Sequence, residues 1–108
     1  MYGERERKMD ISKMDDAELE VLAGAMKAMS HPLRLKILCR LKSGRKNVAE
    51  LVKLLGAEQA IVSQQLGILR LNGLVYSERE RGFAYYAISA KKKGKIEQIL
   101  GGLCGLCA

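Results

Sequence analysis

"EQAIVSQQLGILRLNGLVYSERERGFAYYAIS" occupies residues 58–89 and changes period half way along. In its first half Val62, Leu66 and Leu69 recur at helical spacing and define one apolar face. Gln59, Ala60, Ser63, Gln64 and Gly67 lie on the other face, which is small, polar and uncharged. Gly73 stops this helix. Beyond it, residues 74–77 and 83–89 are β-forming runs, and the charged residues between them, with Gly82, close a hairpin. Its tip is expected to expose Arg79 and Arg81.

Working upstream, "VAELVKLLG" (residues 48–56) predicts a helix that buries Val48, Leu51, Val52 and Leu55, with Gly56 in the left-handed position that closes it. Only a short step at Ala57 separates it from the next helix, so the two form a helix-turn-helix unit. "PLRLKILCRLKSG" (32–44) is a helix capped by Ser30 and His31, with Pro32 in the first turn, where no backbone donor is needed. "DDAELEVLAGAMKAMS" (15–30) is an acidic-start helix with a narrow stripe of Leu19, Leu22, Met26 and Met29. Residues 1–14 read as a mobile charged arm, and 15–108 as one domain without repeats or linker. Downstream, "AKKKGKIEQILGGLCGLCA" (90–108) is a last helix with the stripe Ile96, Leu100, Leu103 and Cys107.

A chain of 108 residues supports a single modest core. The net charge of +7 is uneven, with residues 1–30 summing to −2 and 31–108 to +9, so a polyanion is the expected partner of the larger part. No apolar run reaches the length of a membrane span, and "MYGERERKMD" has no apolar stretch behind it, so a soluble cytoplasmic protein is expected. Catalysis is the weakest class: His31 is the only histidine, and no paired carboxylates or phosphate loop are present. No cofactor is expected. Three cysteines are an odd number and not a disulfide framework, which fits a reducing compartment.

A helix with such a face fits the DNA major groove, where base edges are read by hydrogen bonds. Ser63, Gln64 and Gln65 supply donors and acceptors beside Gln59, and Ala60 suits a thymine methyl group. Arg79 and Arg81 suit phosphate or minor-groove contacts, and Arg45 and Lys46 add backbone contacts. Singly, a polar helix face is often only solvated and a charged hairpin often only guards a sheet edge. The order, helix-turn-helix then hairpin, is more specific than any one part.

"SHPLRLKILCRL", "VAELVKLL" and "AIVSQQLGILRLNGLVYSERERGFAYYAIS" resemble the ArsR/SmtB family of bacterial winged-helix repressors over residues 15–107. The resemblance implies a mainly α fold, four helices followed by a β-hairpin wing and a last helix. It also implies a homodimer through the first and last helices, seated on a palindromic operator that it leaves when an inducer binds. Gln65 departs from the pattern, standing where the family usually has histidine. Dimerisation is also sensible for the residues themselves: Gly94, Gly101, Gly102 and Gly105 weaken the last helix by about 1 kcal/mol each relative to alanine, and packing against a second subunit would offset that. Two recognition helices then lie roughly 34 Å apart.

The inducer is the finer question. "NVAELVKLL" lacks the family's cysteine pair, the last helix lacks its histidines, and His31 sits where it caps a helix, so no metal site of either usual type is expected. Cys39 in "ILC", with Cys104 and Cys107, resembles the thiol-sensing branch typified by BigR, SqrR and HlyU. That likeness implies a disulfide or polysulfide joining Cys39 to a C-terminal thiol under reactive sulfur species or oxidants, with loss of DNA affinity. Cys104 is nearer the family position, and Cys107 is the resolving or alternative thiol. Arg34 and Arg40 lie near Cys39 in sequence and would favour its thiolate. Two alternatives stand beside this one. The same three thiolates suit As(III) or Sb(III). Or the thiols are inert, Cys39 as a small core residue and Cys107 as part of its stripe.

Overall fold

The computed structural model describes residues 10–92, 94 and 96. Its helix boundaries follow from caps that the sequence supplies. After a 3-10 turn at Ile11–Lys13, helix α1 (Asp16–Met29) opens with a capping box. The Asp15 carboxylate accepts from the Glu18 backbone N–H at 2.8 Å, and Glu18 accepts from that of Asp15 at 3.1 Å. Such a cap stabilises a helix by about 1 kcal/mol. Helix α2 (Pro32–Leu41) begins at His31, whose Nδ1 accepts from the Leu33 N–H at 3.1 Å, with Pro32 first in the helix. A two-residue strand β1 (Lys46–Asn47) runs into α3 (Val48–Leu55), where Asn47 and Glu50 repeat the capping box. Gly56 ends α3 at φ 64°, a conformation that costs glycine nothing, and α4 (Gln59–Leu71) follows at once.

Strands β2 (Val75–Glu80) and β3 (Phe83–Ile88) then form the wing, and a further helix opens at Ala90. The sheet order is β1-β3-β2, antiparallel throughout, with Val75 opposite Ile88 and Glu80 opposite Phe83. The core joins every helix to the base of the wing: Ile37 and Leu38 of α2, Leu51 of α3, Val62, Leu66 and Leu69 of α4, with Leu74 and Ile96, have no exposed surface. Truncating one of these leucines to alanine costs about 2–5 kcal/mol.

The winged helix-turn-helix read from the sequence is present, with four differences. In α1 the stripe is shifted: Met26 is 51% exposed, Leu19 is half-buried, and Ala25 and Ala28 join Leu22 and Met29 in the core. Small side chains let the helix pack closely there. Of the α3 residues expected in the core only Leu51 is fully buried; Val48, Val52 and Leu55 pack partly exposed against it. Strand β1 adds a third strand by pairing Lys46 with Tyr86 and Asn47 with Tyr85. Strand β2 extends through Glu78, Arg79 and Glu80, which were expected in the connection, and leaves only Arg81 and Gly82 at the turn. Both turn residues have positive φ, 54° and 84°, the requirement of a type I′ hairpin. Residues 1–9 of the expected arm, and Leu100, Leu103, Cys104 and Cys107 of the last stripe, lie outside the described residues.

Candidate nucleic-acid interface

The outer face of α4 is built by exclusion. Val62, Leu66 and Leu69 bind the helix to the core, and the opposite side is left to solvent. Gln59, Ala60, Ser63 and Gln64 are all exposed there, and Gly67 is half-buried. Gln65 is not among them. It is 8% exposed, and its Oε1 accepts a hydrogen bond of 2.8 Å from Nη1 of Arg34. The expectation that Gln65 reads bases is therefore corrected: helical geometry turns it toward the core side, three residues beyond Val62 and four before Leu69. The same guanidinium donates through Nε to the Ala28 carbonyl in the last turn of α1. Arg34 thus ties α1, α2 and α4 together, and a cation at a helix carboxyl end is favoured by the helix dipole.

The wing is fixed to α4 at its base, where Arg70 Nη1 reaches Ser77 Oγ at 3.4 Å. Alternation along β2 places Val75, Ser77 and Arg79 on the α4 side, and Tyr76, Glu78 and Glu80 on the other. Arg79 and Arg81 are exposed, and among the described residues neither makes an ion pair. They remain available to phosphates.

Arg45 is a second correction. Expected as a DNA backbone contact, it lies on the far side of the sheet and holds two wing carboxylates. Nη1 donates to Glu78 Oε1 at 2.7 Å, Nη2 donates to Glu80 Oε1, and the guanidinium carbon stands 4.3 Å from the centroid of the Tyr85 ring. Hydrogen bonds to Glu80 and then Glu78 raise its pKa above the already high arginine value, so it stays cationic. Lys46, in β1, is half-buried and its Nζ lies 3.3 Å from Ser43 Oγ. Arg34 and Arg70 were missed as positioning residues, because their partners lie on other elements, Gln65 31 residues from Arg34 and Ser77 across the turn into the wing from Arg70; only their place at the start of one helix and the end of another hinted at it.

Cys39 is half-buried on α2, packed against the core, and disulfide-bonded. Cys104 and Cys107 lie outside the described residues. Among the described residues no group of three or more His, Cys, Asp or Glu side chains could hold a metal ion. No helix among them is long and apolar enough to cross a membrane.

Residues 31–77, from the cap of α2 into β2, match the family model "Bacterial regulatory protein, arsR family". The biofilm growth-associated repressor of Agrobacterium fabrum is 32% identical over 99 residues, spanning 88% of this chain and 85% of that protein. The chain belongs to the arsR family. Solved structures of similar regulators share its fold. HlyU from Vibrio cholerae superposes with a TM-score of 0.74 at 33% identity, over 84% of this chain and 99% of that one. The solution structure of a homodimeric winged helix-turn-helix DNA-binding domain from Mycobacterium bovis, a possible ArsR-family regulator, superposes with a TM-score of 0.71 at 26% identity, over 86% and 89%. As an arsR-family protein the chain is a winged-helix transcriptional regulator and not an enzyme.

Proposed function

We propose that this regulator is a cytoplasmic, homodimeric repressor that reads a palindromic operator with α4 and leaves it when Cys39 becomes linked to Cys104 or Cys107. The observation that carries the DNA-binding part is the uncharged, exposed face of Gln59, Ala60, Ser63 and Gln64 beside Arg79 and Arg81. Hydrogen-bonding side chains on the helix discriminate bases, while the wing arginines hold the backbone. Lys46 is assigned a weaker backbone contact. Dimerisation is supported by Val21 and Met26 of α1, with Ile11 ahead of it, which leave apolar surface exposed. The homodimeric relative from Mycobacterium bovis points the same way.

The thiol step is supported by the disulfide at Cys39. With peroxide, two thiols lose two electrons and two protons, and the oxidant leaves as water. With a persulfide donor, sulfane sulfur passes to the Cys39 thiolate, and attack by the second thiolate on the inner sulfur gives the disulfide and releases hydrogen sulfide. Where the donor has passed sulfane sulfur to both thiols, attack by the outer sulfur of one persulfide on the inner sulfur of the other releases hydrogen sulfide and leaves a trisulfide, a polysulfide link.

The test is operator binding by reduced protein and by protein treated with a persulfide donor, peroxide or arsenite, with the mass of each product. Release by persulfide or peroxide, abolished in Cys39→Ser, is the expected result. A Cys39→Ser protein that responds like wild type overturns the thiol assignment. Release by arsenite with no sulfur adduct assigns the three thiolates to As(III) or Sb(III) instead.

A further inference from the structure

We infer that Arg45 is a built-in counter-ion of the wing, which offsets one of the two negative charges of Glu78 and Glu80 and so weakens the acidic field beside the DNA-facing Arg79 and Arg81. The inference rests on the reading of the wing as a phosphate-binding element and adds a positioning residue to it.

Residues 78–81, Glu-Arg-Glu-Arg, sum to no charge, an odd composition for a hairpin that approaches a polyanion. The strand period sorts them: Glu78 and Glu80 share one face of β2, and Arg79 points to the α4 side. Arg45 comes from a different segment, immediately before β1, and closes a fork on both carboxylates over the Tyr85 ring. Adding its charge brings the wing to a net charge of +1, with Arg79 and Arg81 carrying +2 and the Arg45–Glu78–Glu80 cluster keeping −1. The guanidinium fork suits two carboxylates better than an ammonium would, and the aromatic face beneath holds it in place. Phe83, edge-on to Tyr85 at 6.4 Å, extends that platform toward the tip. Arg45 therefore acts on DNA through the glutamates and not by touching phosphate.

The distinction is measurable as a mutant cycle. Binding of a mixed-sequence duplex by full-length reduced protein is followed by fluorescence anisotropy across a salt series, for wild type, R45A, E78Q/E80Q and R45A/E78Q/E80Q. One effective charge changes duplex affinity by about fivefold at 0.15 M salt, extrapolating the counter-ion slope from 1 M. R45A is expected to weaken binding about fivefold and to lower the salt slope, whereas R45A/E78Q/E80Q, which loses both carboxylates along with the cation, is expected to bind at least as tightly as wild type. R45K keeps the cation and is expected within about twofold of wild type, which carries the decision where alanine unfolds the wing. A triple variant as weak as R45A overturns the proposal, since the glutamates would then be irrelevant and Arg45 would touch DNA directly. So does no loss in R45A, or a fivefold loss in R45K. Failure of the underlying reading looks different: wild type itself then shows no salt-dependent duplex binding, and both proposals fall.

Discussion

Two arginines in this small domain each bridge two acceptors, and they do so in opposite surroundings. Arg34 lies among helices, half-buried, with one partner in the last turn of α1 and the other, Gln65, nearly sealed from solvent. Arg45 lies on the open side of the sheet, its side chain 37% exposed, with two carboxylates about half exposed. The chemistry of the donor is the same. Burial decides what each contributes: water screens an exposed pair and replaces its hydrogen bonds, whereas a buried amide that loses its donor has no substitute. Arg34 accordingly holds the recognition helix in place, and Arg45 sets the charge of the wing.

The largest effect should come from breaking the buried bridge. Arg34→Ala leaves the Gln65 oxygen and the Ala28 carbonyl without their donor, a loss of about 1–3 kcal/mol. In a domain of this size that lowers the melting temperature by roughly 4–8 °C per kcal/mol. Arg45→Ala should leave the melt close to wild type, because its partners stay hydrated. If both variants melt alike, burial is not what separates them.

A smaller effect sharpens the comparison. R34M/Q65L replaces donor and acceptor by apolar groups of similar shape, which is often nearly neutral. It should recover most of the melting temperature that Arg34→Ala loses, read by thermal denaturation of the same preparations. A double variant no more stable than Arg34→Ala would show that the Ala28 carbonyl, and not Gln65, is the partner that matters.

The smallest effect is at the wing tip. Arg81 sits at φ 54°, a region that disfavours branched and long side chains and that asparagine tolerates. Arg81→Asn should raise the melting temperature slightly while weakening all duplexes and lowering the salt slope by about one unit per subunit. Loss confined to one operator sequence would mean that Arg81 reads bases.

Most of the architecture is legible in the sequence because its signals are local. Pro32, Gly56, Gly73 and the change of period after residue 73 mark the element boundaries, and the leucine spacing marks the core. Three features escape such reading for physical reasons. Strand β1 has two residues, too few to show any alternation. The charged end of β2 is held in the sheet by its partner, since Phe83 and Tyr85 opposite it carry the β preference. Gln65 was assigned by its polarity, although its spacing from Val62 and Leu69 already placed it inward; the donor that permits this, Arg34, is 31 residues away. For the interface, the exposed residues of α4 and the wing arginines were readable from period alone. Arg45 was not, because its role depends on which carboxylates a distant strand brings beside it.

Selection of duplexes from a random pool by the reduced protein tests the central claim most directly. The account predicts enrichment of a palindrome with half-sites about 10 base pairs apart, and a change in the enriched bases for Gln64→Ala or Ser63→Ala. A pool left unenriched, or enriched in a single unrepeated site indifferent to Ser63 and Gln64, would contradict it.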